Sequence, residues 1–285
     1  MEDILSQVIF LGMPIGNSED ITDRVKKSLE KGKYFFCEDT RNLRKIFSLY
    51  EISAKGKNIY SFHENSSLEI LDKVEEIVKS GNDVYYCSDA GSPFVSDPGG
   101  KLADELRKRE IPFVSFSGVS SIISALENSG IAFTSFKYHG FLARTRKDKL
   151  NILEKTERSG GLHVFFESPH RIIETLKVLK NEDILRHGSL FICRELTKKF
   201  QEVILTNEST IESIIDTLTV KGEFVLVFDF GEEKKYRQPD SKEFTELAQK
   251  IIESGGKPKA VSKLVGKILD LNPKEVYESI SFNKG

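Results

Sequence analysis

Apolar residues in this chain come in two repeating patterns, and the patterns alternate. Short runs rich in β-branched and aromatic residues, at 7–11, 34–37, 58–62, 83–86, 111–116, 162–166, 190–193 and 224–230, predict buried strands. Between them lie segments with apolar residues every three or four positions, which predict helices at 18–29, 68–79, 102–109, 117–128 and 172–180. The segment 130–136 carries neither pattern and reads as irregular. Strand–helix alternation of this kind predicts an α/β chain, and its polar clusters sit after the strands rather than before them.

The central cluster is Cys87-Ser88-Asp89-Ala90-Gly91-Ser92-Pro93-Phe94-Val95-Ser96-Asp97-Pro98-Gly99-Gly100. Such turns lie at the carboxyl ends of strands in an open α/β sheet, where ligands bind, and glycine lets backbone approach a ligand closely. A helix entry using Asp97 and Pro98 is the simpler reading, but it needs neither the glycine-serine stretch nor the second acid. Pro14, Ile15, Gly16 and Asn17 form a comparable turn after the first strand. Ser117, Ser120 and Ser121 precede a helix, where free N–H groups can meet a carboxylate or phosphate. No GxGxxG or GxxxxGK[ST] is present, which removes the main support for dinucleotide or nucleoside-triphosphate binding.

Charged groups recur at strand ends: Glu38 with Asp39 and Arg41, His63 with Glu64, Glu167 with His170 and Arg171, and Glu195 with Lys198. The run 144–149 is the densest basic stretch and adjoins aromatics, a combination suited to a phosphate backbone beside a stacked base or to a solvated helix face. After a charged linker at 231–240, helices are predicted at 244–254, at 259–271 and after Asn272-Pro273-Lys274-Glu275. Lys259, Lys263 and Lys267 share one face, and the pair is read either as helix-turn-helix-like or as helices packed on the body.

With 285 residues, 39% hydrophobic and 30% charged, the chain can bury sizeable cores. Its net charge of −2 argues against non-specific coating of nucleic acid and leaves local basic patches open. No apolar run is long enough for a membrane span, and the first residues lack a basic n-region, so a cytoplasmic protein is expected. Cys37, Cys87 and Cys193 are far apart and each ends an apolar run, so packing is expected of them rather than a disulfide or metal role.

Taken in order, PIGN (14–17), EDTR (38–41), SFHENSS (61–67), SDAGSPFVSDPG (88–99), SGVSS (117–121), HGFL (139–142), FESPHRI (166–172), RELTK (194–198) and KGE (221–223) resemble the small-subunit ribosomal RNA cytidine-2′-O-methyltransferases of the tetrapyrrole methylase superfamily. The resemblance covers nearly the whole chain. It implies an α/β, tetrapyrrole methylase-like fold of two domains, 1–116 and 117–233, with a cofactor cleft between them and a helical extension at 240–285. It also implies S-adenosylmethionine held by Pro14, Ile15, Gly16, Asp89, Ala90, Gly91, Ser92, Val95, Ser120, Ser121, Phe166 and Phe224, with no metal. The family usually has proline where Ser117 stands, and proline followed by lysine or arginine at 143–144, so local contacts there are expected to differ.

The implied substrate is 16S ribosomal RNA in the small subunit, and the implied assembly a homodimer. A ribose hydroxyl is a poor nucleophile, so the chemistry needs positioning plus a base or a cation. Glu167 is expected as base or orienter, with Lys198 and Arg41 holding phosphate or lowering the hydroxyl pKa, and with Glu38 and Glu195 as further candidates. A methyltransferase of the same fold acting on a tetrapyrrole or other small molecule would not require the basic run. A non-catalytic RNA-binding protein would have no use for the 88–92 and 117–121 turns.

Overall fold

The computed structural model describes residues 6–63, 66, 68–233, 248–269 and 272–281. The expectations for Glu64, the linker from 234 onward, helix residues 244–247, and the Lys267 and Glu275 side chains lie outside the described residues. The chain divides into two compact units, 1–234 and 235–285.

The first unit contains two five-stranded sheets. In the first, β1 (Val8–Leu11), β2 (Tyr34–Cys37), β3 (Asn58–Ser61), β4 (Val84–Cys87) and β5 (Phe113–Phe116) run parallel in the order β3-β2-β4-β1-β5. Both faces are covered, which is why the strands read as unbroken apolar runs. Val8 and Phe10 face one way, into a core closed by α3 (Leu68–Lys79) and α4 (Gly99–Lys108); Ile9 and Leu11 face the other, toward α1 (Asp23–Lys31) and α2 (Thr40–Leu49). Each fully buried side chain of this kind contributes about 1.5–3 kcal/mol.

The second sheet has the order β6-β7-β10-β8-β9, from β6 (Lys137–Phe141), β7 (Leu162–Glu167), β8 (Ser189–Arg194), β9 (Glu202–Thr206) and β10 (Phe224–Asp229). Only β6 and β7 pair in parallel; the remaining pairs are antiparallel. One face packs on α6 (Arg146–Ser159), α7 (Ile172–Asn181) and α8 (Ile211–Thr217), and the other on α5 (Ser121–Ser129). The α5-side core also takes in Ile15, Val95 and Val119, which come from loops of the first sheet.

Several predicted boundaries shift. The expected helix 18–29 is split: Asn17 Oδ1 accepts from Glu19 N and starts a 3-10 turn, Ser18–Asp20, and then Thr22 caps α1. The helix expected at 117–128 starts at Ser121, because Ser120 is extended and stands as its N-cap residue. Strand β6, edge strand β9 and helix α8 were not expected; the segment of the last two carries only three consecutive apolar residues, 203–205, and a short amphipathic repeat. All three cysteines are buried, and burial pushes the Cys37 and Cys193 thiols up to about 12.

The second unit contains residues 248–253 of α9, α10 (Pro258–Leu269) and α11 (Pro273–Ser281), packed around Ala248, Val261, Val265 and Val276. Asn272 Oδ1 accepts from Lys274 N at 3.0 Å, as its place before Pro273 predicts. Lys259 and Lys263 face a depression that Lys274 and Tyr277 also line.

Asp97 closes the β4–α4 turn. Its Oδ1 accepts from the Tyr86 hydroxyl at 2.7 Å and from Gly99 N at 2.7 Å. Burial pushes the carboxyl up to about 6 against these two bonds. A folded-state pKa above the unfolded value means that the group's contribution is most favourable at low pH and is lost as pH rises through about 6. Asp97→Asn keeps the acceptor without the charge. Its melting temperature relative to wild type should therefore be higher at pH 8 than at pH 5 by about 2–4 °C, a difference that calorimetry would register.

Candidate active site

The loops after β1, β4 and β5 are bound to one another by backbone. Met13 N donates to Gly91 O and Gly91 N to Met13 O, both at 2.9 Å, and Gly91 sits at φ +68°. Gly12 and Gly118 touch so closely that a Cβ on Gly12 would lie 2.6 Å from Gly118 N. Ser88, itself buried, donates to Gly91 O at 2.8 Å and fixes the turn from within.

Two further bonds carry these loops onto the second sheet. Ser96, at φ +52°, shares a hydrogen bond of 2.8 Å with the Tyr138 hydroxyl of β6. Asn17 N donates to Thr197 Oγ1 at 3.1 Å, and the bare Cα of Gly16 leaves room for the Lys198 side chain.

Between these ties lies a cavity of about 370 Å³. The first sheet supplies Ile15, Ala90, Gly91, Ser92 and Val95; the start of α5 supplies Ser120 and Ser121; the second sheet supplies Phe166 and Phe224. Nine of the twelve residues expected to hold a cofactor thus line one space. The other three, Pro14, Gly16 and Asp89, line an adjoining depression that shares Ile15 and Ala90 with it. Ser120 is the N-cap residue of α5 but makes no capping bond through its side chain, so its hydroxyl is not spent on the helix.

The expected catalytic residues do not all converge. Glu167 borders the cavity, yet its side chain is fully buried and committed: Oε1 accepts from Ser168 N and pairs with Arg171 Nη2, both at 2.7 Å, and Oε2 accepts from Thr175 Oγ1 at 2.7 Å. That geometry suits the orienter half of the expectation, since the carboxylate's bonding positions point into protein. Lys198 bridges Glu195 and Glu223, each at 2.9 Å, and Glu223 lines the cavity. Burial draws the Lys198 pKa down, but the hydrogen bonds to Glu223 and Glu195 outweigh it and the net shift is upward. For Glu195, burial pushes up, while the bonds from Lys198 and from Glu223 N outweigh it and the net shift is downward. Glu195 takes φ +51° and fills the space beside Gly222, whose φ is +95°.

Glu38 and Arg41 lie elsewhere, in a depression with Ser61, His63 and Asp89 at the ends of β2, β3 and β4. Arg41 is exposed and forked onto Asp39, and its side-chain hydrogen bond is the main reason that the Asp39 carboxyl is held down at about 2. The basic run is also divided. Lys149 is completely buried beneath α6 and Arg146 pairs with Glu182 at 2.8 Å, which leaves Arg144 and Lys147 exposed. The reason is helical phase: Lys149 lies one turn before Leu153 and shares its inward face. Phe141, Pro169, Leu196 and Glu223 belong to the cavity without having been singled out as site residues, although each falls within or beside a motif that marks a strand end.

Among the described residues, no group of three or more His, Cys, Asp or Glu side chains is placed to hold a metal ion, and no helix is long and apolar enough to cross a membrane.

Comparison with known proteins fits this geometry. Residues 7–212 match the family model for Tetrapyrrole (Corrin/Porphyrin) Methylases. The ribosomal RNA small subunit methyltransferase I of Mycoplasmopsis pulmonis is 36% identical over 226 residues, which is 79% of this chain and 98% of the relative. That of Bacillus subtilis is 31% identical over 270 residues, 93% of this chain and 91% of the relative. Among solved structures, diphthine synthase superposes with a TM-score of 0.62 at 12% identity, covering 80% of this chain and 92% of its own. The methyltransferase CobJ gives 0.58 at 15%, covering 78% and 93%. Sequence and fold agree, and the chain belongs to the tetrapyrrole methylase family, among the relatives of ribosomal RNA small subunit methyltransferase I.

Proposed function

We propose that this chain transfers a methyl group from S-adenosylmethionine to the 2′-hydroxyl of a cytidine ribose in 16S ribosomal RNA of the small subunit. The observation that carries the reading is the meeting of the 90–95, 120–121 and 166–169 segments around one cavity, in a methylase fold whose relatives bear small-subunit ribosomal RNA names. Division of the α/β body into domains at 116/117, a homodimeric state and a cytoplasmic location belong to the same proposal.

The cavity suits such a cofactor. Phe166, Leu196 and Phe224 offer apolar surface to a nucleoside, while Ala90, Gly91 and Ser92 present backbone with little side chain in the way. Bound there, the sulfonium supplies an already electrophilic methyl group. The protein's own part is to bring the ribose oxygen in line with it, so that the new O–C bond forms as the C–S bond breaks. The hydroxyl proton must leave to a base. Of the two acids on the cavity, Glu167 is fully buried and held by Ser168 N, Arg171 and Thr175, and Glu223 is open to solvent and paired with Lys198. We assign the proton to Glu223, the setting of Glu223 to Lys198 and Glu195, and the shaping of the rim to Glu167. The acceptor strand passes over exposed Phe141 toward Arg144 and Lys147.

Cofactor binding is testable by calorimetry. Gly91→Val puts a branched side chain at a left-handed position whose Cβ already meets Ile15 Cγ2 at 3.1 Å, and should abolish measurable binding while circular dichroism shows a folded protein. Binding equal to wild type would remove the 88–92 turn from the site.

The product should be a ribose-methylated cytidine by mass spectrometry, with one phosphodiester resistant to alkali. Glu223→Gln should lower kcat by ~10²-fold with cofactor affinity kept, and Lys198→Ala should lower it by at least ~10-fold. Methylation on the base would overturn the acceptor; wild-type kcat in Glu223→Gln would return the proton to Glu195.

Residues 240–285 are proposed to engage RNA, with Lys259, Lys263, Lys274 and Tyr277 grouped on one depression of the second unit. A chain ending near Tyr236 should keep cofactor affinity and bind RNA more weakly. The plot of log affinity against log salt should become shallower by about 0.7 for each phosphate that the shortened chain no longer neutralises. Unchanged RNA affinity would show the helices to be structural.

A further inference from the structure

From Glu167 on the cavity, a polar chain runs into the core, and the proposed chemistry uses none of its other members. Lys149 of α6 is completely buried, and its Nζ donates to Thr175 Oγ1 of α7 at 2.9 Å, with Glu174 Oε1 at 3.7 Å. The Thr175 hydroxyl, also buried, donates onward to Glu167 Oε2 at 2.7 Å. The other carboxylate oxygen pairs with Arg171 Nη2, whose guanidinium also reaches Ser168 Oγ at 3.0 Å and Leu142 O at 3.1 Å. Four side chains from β7, α6 and α7 thus join the carboxyl ends of β6 and β7, and those ends carry Phe141, Ser168 and Pro169 to the cavity.

Packing alone does not call for this arrangement. A charge buried in a core is seldom more stabilising than an apolar residue of the same size, and Lys149 lies one turn from Leu153 in an otherwise apolar core that also holds Phe165, Phe224 and Phe228. What the chain adds is direction. Hydrogen-bonded polar groups restrict geometry more than apolar contacts do, and here that geometry belongs to the rim of the cavity.

We propose that Lys149, Thr175 and Arg171 are positioning residues for methyl transfer, which hold Glu167 and through it fix the Phe141 and Ser168–Pro169 edges against which the acceptor is aligned. The role rests on the reading of the cavity as the methyl-transfer site. Thr175 is the hinge of the relay, because its single hydroxyl accepts from Lys149 while donating to Glu167, and a methyl group cannot do either.

The test uses the full chain, S-adenosylmethionine and small ribosomal subunits lacking the modification. Thr175→Val keeps the volume and removes the hydroxyl; Thr175→Ser keeps the hydroxyl. In Thr175→Val, kcat should fall about tenfold or more with the cofactor's KM within about threefold, and Thr175→Ser should restore kcat to within about threefold of wild type. Lys149→Gln, which retains a donor to the hydroxyl but not the charge, should lower kcat in the same direction. A folded Thr175→Val enzyme with wild-type kcat, or loss of stability with kcat unchanged per folded molecule, overturns the proposal. If Thr175→Val does not fold, Lys149→Gln decides by the same criteria, and if neither folds the chain is a requirement of folding only and the proposal fails. Absence of methylation by the wild-type protein itself would instead overturn the reading of the cavity, a result distinguishable from all of these.

Discussion

The site depends on the backbone bridge between Met13 and Gly91, backed by the close approach of Gly12 to Gly118. In a parallel sheet the loops after neighbouring strands leave in the same direction but are free to diverge. Here three of them are brought within hydrogen-bond or van der Waals distance, which glycine allows because a Cβ at 12 or 118 would collide with the facing backbone. The small-residue segments thereby form a continuous wall. Ile15 and Val95, carried on that wall, then enter the core of the second sheet, so the cavity and the packing between the layers share the same residues.

The second sheet answers with a different device. Its strand ends are set by charge: Arg171 clasps Glu167, Lys198 holds Glu195 and Glu223, and Arg194 pairs with Glu202. Such pairs add little to stability when exposed, but inside a protein they specify direction. The result is a cavity with one wall of bare backbone and small side chains and another of aromatics framed by ion pairs. A ligand combining a charged centre with a flat apolar ring is the kind of molecule that those two walls can grip together.

Charge is also what separates the surfaces available to a polyanion from those that only look so in sequence. Of the basic run after β6, Lys149 is withdrawn into the core, while Arg144, Arg146 and Lys147 are at the surface, Arg146 paired with Glu182. The chain's small net charge is therefore compatible with local exposed basic residues after β6.

The sequence alone determined most of the element types, the strand cores and the places of the small-residue turns, because these follow from periodicity, from glycine and proline, and from the order of motifs. Parallel strands buried on both faces read as continuous apolar runs, and the serines at 120 and 121 announced a helix start whether or not they capped it. Tertiary structure decided which turns meet. Nothing in the spacing of Glu38 and Arg41 distinguishes them from Glu195 and Lys198, yet the strand order sends the first pair to its own depression and the second to Glu223, which lines the cavity. Lys149 shows the same limit from the other side. Its helical phase turns it inward beside Leu153, but only the packing of α6 on α7 places the Thr175 hydroxyl where it can accept from Lys149 and donate to Glu167.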